Sequence, residues 1–166
     1  MHEEVLTNEQ KDLLPLLKSF SGKFGLVGGT AIALQIGHRR SIDFDLFSNK
    51  LFFNSSILDQ VRSGFKITKT FVDKPGELTI LVNSVKMTFY KYPFEINYPV
   101  KLNDFIKMPD LITLGSMKSF ALGRRAKWKD YVDLYFIFKN YSLNDISERT
   151  KKLFKGEFNE RLLRQQ

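Results

Sequence analysis

The amino-acid sequence predicts one α+β domain, in which helices flank a mixed central sheet and a helical part follows. A Gly-Gly turn near residue 28 joins a short apolar strand to a helical run. Alternating segments between residues 65 and 90 predict three successive strands, and the apolar spacing after residue 103 predicts helices. Because 166 residues is the usual size of one domain, we predict a single unit, 1–166, with an α/β core at 1–100 and a helical C-terminal part at 101–166.

The composition excludes several classes of protein and site. Hydrophobic residues make up 43% of the chain, which is enough apolar surface for a folded core. The chain has no cysteine and only two histidines, so disulfides, thiolate metal sites and histidine-rich zinc centres are excluded, and a bound metal would need carboxylates. Neither an apolar run near 18 residues nor a signal peptide is evident, so we expect a cytoplasmic protein without membrane contact.

The net charge of +8 favours polyanionic partners such as nucleotides or nucleic acid. Many of the basic residues follow residue 101, including Arg124, Arg125, Lys127, Lys129, Lys151, Lys152, Lys155, Arg161 and Arg164. For this group a solvated basic face is an equally good interpretation.

The first elements lead to the Gly-Gly turn. Thr7 or Asn8 can cap a helix over residues 8–20, in which Pro15 is tolerated only near the start. A strand over 24–27 then leads through Gly28 and Gly29 into a helix that Gly37 can end.

The segment Ser41–Leu46 predicts a strand with two different faces. Side chains alternate along a strand, so Ile42, Phe44 and Leu46 point to one side while Ser41, Asp43 and Asp45 point to the other. Both carboxylates therefore share one face.

The remaining elements are a helix, three strands and several helices. The patterns predict a helix over 53–61, strands over 65–72, 78–82 and 85–90, and only helices from residue 103 onward, over 110–123, 127–139 and 143–153. The charged segment 157–166 is expected to be frayed.

The aspartate pair is the candidate metal site. Two adjacent carboxylates repel each other unless a cation lies between them, and oxygen ligands suit Mg²⁺ or Mn²⁺. An Asp-x-Asp pair alone also occurs on solvated strand edges, but here a Gly-Gly turn opens a helix nearby, where backbone amides can bind phosphate. The alternative for Gly28-Gly29 is an ordinary tight turn.

Lys118 is the second candidate group. On a helix from residue 110 it shares an otherwise apolar stripe, so it needs an anionic partner. Asp130 or Asp133 of the next helix and a nucleotide triphosphate are both suitable partners. Alternatively, Asp130 and Asp133 could form ion pairs with Lys129 or Arg125. The aromatic residues of this helix, Trp128, Tyr131, Tyr135 and Phe138, are expected in the core rather than in a nucleobase platform.

These motifs resemble the AbiEii-type nucleotidyltransferases, a branch of the polymerase β-like superfamily. The likeness lies in Gly28-Gly29-Thr30-Ala31, Arg39 or Arg40, Ser41, Asp43-x-Asp45-Leu46-Phe47, Lys118 and the Asp130-x-x-Asp133-Leu134 helix. It implies transfer of a nucleoside monophosphate from an NTP to an acceptor hydroxyl, with Mg²⁺ or Mn²⁺ on Asp43 and Asp45. It further implies a polymerase β-like fold, tRNA or another RNA as acceptor, and a cognate antitoxin as partner.

The resemblance also implies a role for each candidate residue. Gly28, Gly29 and Thr30 would hold the β- and γ-phosphates, with Arg40 and Ser41 beside them. Lys118 would neutralise negative charge, and Asp130 and Asp133 would support the site.

One position departs from that family's pattern. A third carboxylate usually comes from a neighbouring strand, and on the predicted strand 85–90 the residues facing the site are Lys86, Thr88 and Tyr90. Glu77 or Asp73 could substitute. The alternative function is therefore a nucleotide- or RNA-binding module of the same fold with weakened catalysis.

Overall fold

The structure, a computed structural model, describes residues 1–122 and 127–165. Its α-helices are α1 (Asn8–Asp12), α2 (Leu14–Phe20), α3 (Gly28–Ile36), α4 (Asn54–Arg62), α5 (Leu111–Leu122), α6 (Trp128–Ile137), α7 (Leu143–Phe154) and α8 (Glu160–Arg164). Its strands are β1 (Gly25–Val27), β2 (Phe44–Ser48), β3 (Ile67–Lys74), β4 (Glu77–Val82), β5 (Val85–Lys91), β6 (Val100–Leu102) and β7 (Ile106–Met108). Arg124 and Arg125, which the sequence singled out, lie outside the described residues.

Five strands form the central sheet, in the order β1-β2-β5-β4-β3. β2 and β5 run parallel, and the other neighbouring strands are antiparallel, which confirms the predicted mixed sheet. The parallel pair forms because the chain leaves the sheet after β2, passes through α4, and returns by the β3–β4–β5 meander. This topology places β2 near the centre of the sheet.

The core lies against one face of the sheet. Phe44 and Leu46 of β2 are fully buried, as are Met87 and Phe89 of β5, while the residues between them face the other side. The period-two alternation therefore assigns one face to the core and leaves the other face for the candidate site.

The strand that carries the aspartates begins later than the sequence predicted. β2 starts at Phe44, so Asp43 immediately precedes it, and Ile42 is 57% exposed rather than buried with Phe44. The alternation of apolar residues did not reveal this boundary, because the segment before β2 is held by contacts from other parts of the chain.

Two predictions for the C-terminal part were wrong. A hairpin, β6–β7, lies where only helices were expected after residue 103, and its three-residue strands are too short for their alternation to be recognised. The segment 157–166 was expected to be frayed. Instead, Asn159 caps α8, and the buried Leu163 packs against Leu122 and Leu134.

The aromatic residues of α6 were also placed wrongly by the sequence. Trp128 is 74% exposed and Tyr135 is 62% exposed, and Tyr131 and Phe138 are more than a third exposed.

Over the described residues, no helix has the length and apolarity needed to cross a membrane.

Candidate active site

One row of side chains crosses the open face of the sheet. In the strand register Val27 of β1 pairs with Asp45 of β2, Asp45 with Thr88 of β5, and Thr88 with Thr79 of β4. All four residues line one cleft of about 890 Å³, a size typical of small-molecule sites. The sheet thus fixes Asp45 rigidly at the floor of this cleft, with Thr88 directly beside it.

A second row forms the more apolar part of the floor. Phe47 pairs with Tyr90, and Tyr90 pairs with Glu77, and all three line the cleft. The ring centroid of Phe47 lies 5.3 Å from that of Tyr90 and 5.0 Å from that of Tyr92. This cluster of rings is a surface on which a planar ligand could pack.

Helix α5 closes the cleft on the side opposite the sheet. The cleft lining comprises Val27, Gly28, Asp43, Asp45, Phe47, Phe71, Glu77, Thr79, Lys86, Thr88, Tyr90, Tyr92, Leu114, Met117, Lys118, Phe120, Ala121 and Lys127. Phe120 also stacks on Phe154 with a centroid separation of 4.0 Å, which ties this wall to α7.

Asp43 lies at the edge of the cleft beside a lysine. Lys86 Nζ is 2.9 Å from Asp43 Oδ2, and both side chains are partly exposed. A cation therefore already sits against one of the two candidate metal ligands. Within the described ranges no group of three or more Asp, Glu, His or Cys side chains is close enough to hold one metal ion. The two aspartates fit a divalent ion whose remaining ligands are water and substrate oxygens.

The two acids considered as substitutes for a third carboxylate occupy different places. Glu77 lines the cleft one row from Asp45, whereas Asp73 accepts a hydrogen bond from Asn54 Nδ2 at 2.6 Å and is not part of the cleft lining. Glu77 is therefore the better placed of the two.

Gly28 brings the start of α3 into contact with Asp45. Its φ is +73°, and a Cβ at this position would lie 2.3 Å from Asp45 Oδ2. Side chains are strained at such a φ, and the contact leaves no space for one, so glycine is required on both grounds. Val27 at the N-cap makes no side-chain capping bond, so the first turn of α3 relies on other partners for its amides.

Replacing Gly28 with alanine is expected to lower the nucleotide transfer that the sequence resemblance implies by about 100-fold, because the added methyl group must displace the Asp45 carboxylate. The same change should also destabilise the fold by about 1–2 kcal/mol through its positive φ. Rates of transfer and thermal melts of the purified variant measure both effects. Gly76→Ala is the matched control, since Gly76 has a φ of +79° but is not part of the cleft lining, and its added methyl group would meet Lys91 rather than Asp45. An equal loss of transfer in the Gly76 variant would contradict the assignment.

Thr30 holds the segment before β2 in place. Its hydroxyl donates to the backbone oxygen of Asp43 at 2.5 Å and reaches that of Ser41 at 3.4 Å, and the residue is buried. The sequence suggested a phosphate contact for this hydroxyl, whereas the structure shows a positioning bond. Gly29, Arg40 and Ser41 are not part of the cleft lining, and Arg40 is exposed.

Lys118 and Asp133 form the centre of a buried ionic network. Lys118 Nζ lies 2.6 Å from Asp130 Oδ1 and 3.0 Å from Asp133 Oδ2. Arg39 donates from Nε and Nη2 to Asp133 at 2.7 and 2.9 Å, and His38 Nε2 lies 2.7 Å from the same carboxylate. Of the partners that the sequence left open for Lys118, the two aspartates of α6 are therefore present.

The network sets the ionisation of Asp133. Burial by itself raises the pKa of this carboxyl, but hydrogen bonds from His38 and Arg39 and the positive charge of Lys118 outweigh burial and hold the pKa well below its usual range. Asp133 is thus ionised at neutral pH, and its carboxylate fastens the segment before β2 to α5 and α6.

Sequence analysis did not identify His38 and Arg39 as partners of Asp133. They are 95 and 94 residues away in the chain, and no local periodicity links such distant groups. The sequence does place two acids, Asp130 and Asp133, on one side of α6, and buried carboxylates need cationic partners from other elements.

Comparison with known proteins identifies the family of this chain. The model of the nucleotidyl transferase AbiEii toxin family, described as a type IV TA system, matches residues 16–164. The chain belongs to this family. An uncharacterized protein of Aquifex aeolicus (strain VF5), aq_aa25, is 30% identical over 159 residues, which cover 91% of this chain and 77% of the relative.

Solved structures share the fold of this AbiEii family member. A candidate nucleotidyltransferase from H. pylori superposes with a TM-score of 0.66 and 21% identity, covering 87% of this chain and 74% of its own. The Megavirus polyadenylate synthase superposes with a TM-score of 0.57 and 14% identity, covering 80% of this chain and 31% of its own. The protein is a nucleotidyltransferase of the AbiEii family with the polymerase β-like fold, as the sequence motifs predicted.

Proposed function

We propose that the protein uses divalent metal to transfer a nucleoside monophosphate from an NTP to a hydroxyl of RNA. The observation that carries this proposal is the placement of Asp43 and Asp45 in one cleft with the Gly28 turn. Two oxygen ligands at a rigid strand start suit Mg²⁺ or Mn²⁺. Bound there, the metal supplies charge neutralisation for the phosphates and for the leaving pyrophosphate.

The residues around the metal ligands bind phosphate, supply positive charge or position other groups. The Gly28-Gly29 turn lets the backbone approach the β- and γ-phosphates, and the amides at the start of α3 favour anions. Lys118 lines the cleft and adds positive charge, although its ammonium also serves Asp130 and Asp133. Thr30, Ser41, Asp130 and Asp133 act by positioning these groups.

The transfer step is a displacement at the α-phosphorus. The acceptor oxygen forms a bond to this phosphorus and releases its proton to solvent water, while the bond from the phosphorus to the α,β-bridging oxygen breaks and pyrophosphate leaves with the electron pair. The aromatic surface of Phe47, Tyr90 and Tyr92 supports a cleft in which the nucleobase packs beside the metal ligands.

RNA is the acceptor that the charge of the chain favours. A net charge of +8 attracts polyanions and disfavours a cationic acceptor such as an aminoglycoside. The name of the family, with its type IV toxin, supports a cytoplasmic toxin that is paired with an antitoxin, and the similarity to a polyadenylate synthase supports an RNA acceptor.

The test is incubation of the purified chain with each labelled NTP, Mg²⁺ and total RNA. The expected result is label on RNA from one or more NTPs, which is lost when the metal is chelated. A matched reaction with a small-molecule metabolite extract tests the acceptor class. Label on a metabolite but never on RNA would overturn the RNA acceptor, and transfer that persists without divalent metal would overturn the proposed chemistry.

A second candidate function is a nucleotide- or RNA-binding module with weakened catalysis. The observation that favours it is Thr88, which pairs directly with Asp45 in the sheet at the position where a third carboxylate would complete the metal site.

The Thr88→Asp substitution separates the two functions. If the natural site is weakened, the added carboxylate is expected to raise transfer by about tenfold or more, because a further anionic ligand strengthens metal binding. Thr79→Asp is the matched control, since Thr79 lies in the same row but one strand farther from Asp45. Rates at several Mg²⁺ concentrations measure the effect. Vigorous transfer by the natural chain, with no gain in the variant, would exclude the weakened module.

A further inference from the structure

Helix α6 presents a second surface whose composition is unusual for a solvated face. Its inner side carries Asp130, Asp133, Leu134 and Ile137, which are all buried. Its outer side carries large rings, with Trp128 and Tyr135 mostly exposed and Tyr131 and Phe138 partly exposed. Single exposed apolar residues are ordinary, but four rings on one short helix form a patch of the kind that marks binding sites. We call this surface, which comprises residues 127, 128, 129, 131, 135, 138 and 139, the α6 face.

The charge of the α6 face is entirely positive. Lys127, Lys129 and Lys139 are exposed, and the only acids between residues 127 and 139 are Asp130 and Asp133, which point inward to their ion pairs. Lys139 Nζ lies 5.1 Å from the ring centroid of Tyr135 and 4.7 Å from that of Phe136. Lysines therefore alternate with aromatic side chains, a composition typical of surfaces that bind single-stranded nucleic acid.

The spacing of the rings places them along one line. Trp128, Tyr131 and Tyr135 follow one another at three and four residues, so successive rings lie on the same side of the helix. Such a row can contact successive bases of an extended strand, because each base offers a planar face whatever its identity. The paired bases of a double helix are stacked inside and offer no such face.

The α6 face begins at the mouth of the catalytic cleft. Lys127, which directly precedes α6, is one of the residues lining the cleft. The helix is anchored beside the cleft through Asp130 and Asp133, both of which contact Lys118. A strand on the α6 face would therefore reach, at Lys127, the same cleft that Asp43 and Asp45 line.

From these observations we infer that the α6 face binds the single-stranded end of the acceptor RNA. The bases stack on Trp128 and Tyr135, and the lysines contact the phosphates, so that the terminal hydroxyl reaches the cleft. This inference rests on the proposed function, in which RNA is the acceptor and its terminal hydroxyl enters the cleft. Binding to the face is measurable without any transfer.

The single tryptophan of the chain is a direct probe of this surface. We expect titration with a single-stranded oligouridylate to quench the fluorescence of Trp128, and a double-stranded RNA of equal length to quench it less. The Asp43→Asn/Asp45→Asn double variant is used throughout, so that transfer plays no part in the signal. Fluorescence that stays unchanged while a labelled oligonucleotide binds by anisotropy would place the RNA elsewhere and overturn the inference.

Substitutions test the rings and the lysines separately. Trp128→Ala and Tyr135→Ala are each expected to weaken oligonucleotide binding by about tenfold, and Trp128→Phe by less, because a ring remains. Lys129→Gln is expected to reduce the slope of log affinity against log salt by about 1. Phe53→Ala is the matched control, since Phe53 is 79% exposed but lies at the start of α4, outside the cleft lining. Thermal melts confirm that the exposed substitutions leave the fold intact.

The outcomes separate this inference from the proposed function. Loss of binding in the ring variants supports the α6 face even if no transfer to RNA is found, in which case the proposed function alone fails. Transfer to RNA with undiminished binding in both alanine variants overturns the α6 face alone. A concentration-dependent change in Trp128 emission without RNA would show that a second copy of the chain covers the face, and would also overturn the inference.

Discussion

Asp45→Asn is expected to lower nucleotide transfer by about 1,000-fold or more. The substitution keeps the shape of the side chain but removes the negative charge of the proposed metal ligand on the cleft floor. A divalent ion would then be held less tightly and would neutralise the substrate phosphates less well. Loss of one principal electrostatic contact to a transition state commonly costs this much. Single-turnover rates at saturating NTP, together with Mg²⁺ titrations, measure the effect.

The fold of the Asp45 variant is expected to survive. Asparagine keeps the size and shape of the Asp45 side chain within the sheet, so the melting temperature should stay close to that of the natural chain. Asp73→Asn is the matched control, because Asp73 lies on the same sheet but outside the cleft lining, and its transfer rate should stay near that of the natural chain. Full activity in the Asp45 variant would exclude Asp45 as a metal ligand.

Asp133→Ala is expected to destabilise the protein by about 3–5 kcal/mol, the usual cost of breaking a buried ion pair by removing one partner. Asp133 is fully buried, and its loss removes the carboxylate that pairs with Arg39 and leaves Lys118 with Asp130 alone. For a chain of this size the melting temperature should fall by roughly 6–20 °C. Urea and thermal unfolding measure the change. Asp59→Ala, which removes an exposed ion pair with Arg62, should cost less than about 1 kcal/mol.

The Asp133 network also predicts a dependence of stability on pH. The pKa of Asp133 is lower in the folded protein than in the unfolded chain, where it is about 4, so its contribution is complete above that value and is lost as the pH falls further. The free energy of unfolding of the natural chain should therefore decline more steeply below about pH 4 than that of Asp133→Ala. Parallel acid dependence of the two proteins would show that the network does not stabilise the fold.

Local patterns were sufficient to predict much of the fold and the position of the carboxylates. The strict alternation around Phe44 and Leu46 assigned Asp45 to the open face of β2, and the same argument assigned Lys86, Thr88 and Tyr90 to the cleft side of β5. These inferences succeeded because each depends on residues within one strand.

Features that depend on distant parts of the chain could not be predicted in this way. The bonds from His38 and Arg39 to Asp133 join segments that only the complete fold brings together. Trp128 and Tyr135 have the composition of core residues, and helical periodicity alone does not say which side of α6 is covered. In the structure, the ion pairs of Asp130 and Asp133 and the burial of Leu134 and Ile137 together establish which side of α6 is covered.

The parallel pairing of β2 with β5 has a consequence for synthesis of the chain on the ribosome. Asp45 emerges early, but its neighbour Thr88 belongs to a strand made much later, and the opposing wall of the cleft belongs to α5, later still. Contacts between such distant segments form only after the intervening chain has been made. A growing polypeptide therefore carries Asp43 and Asp45 before the cleft is complete, so we expect enzymatic activity to begin only after α5 has been made.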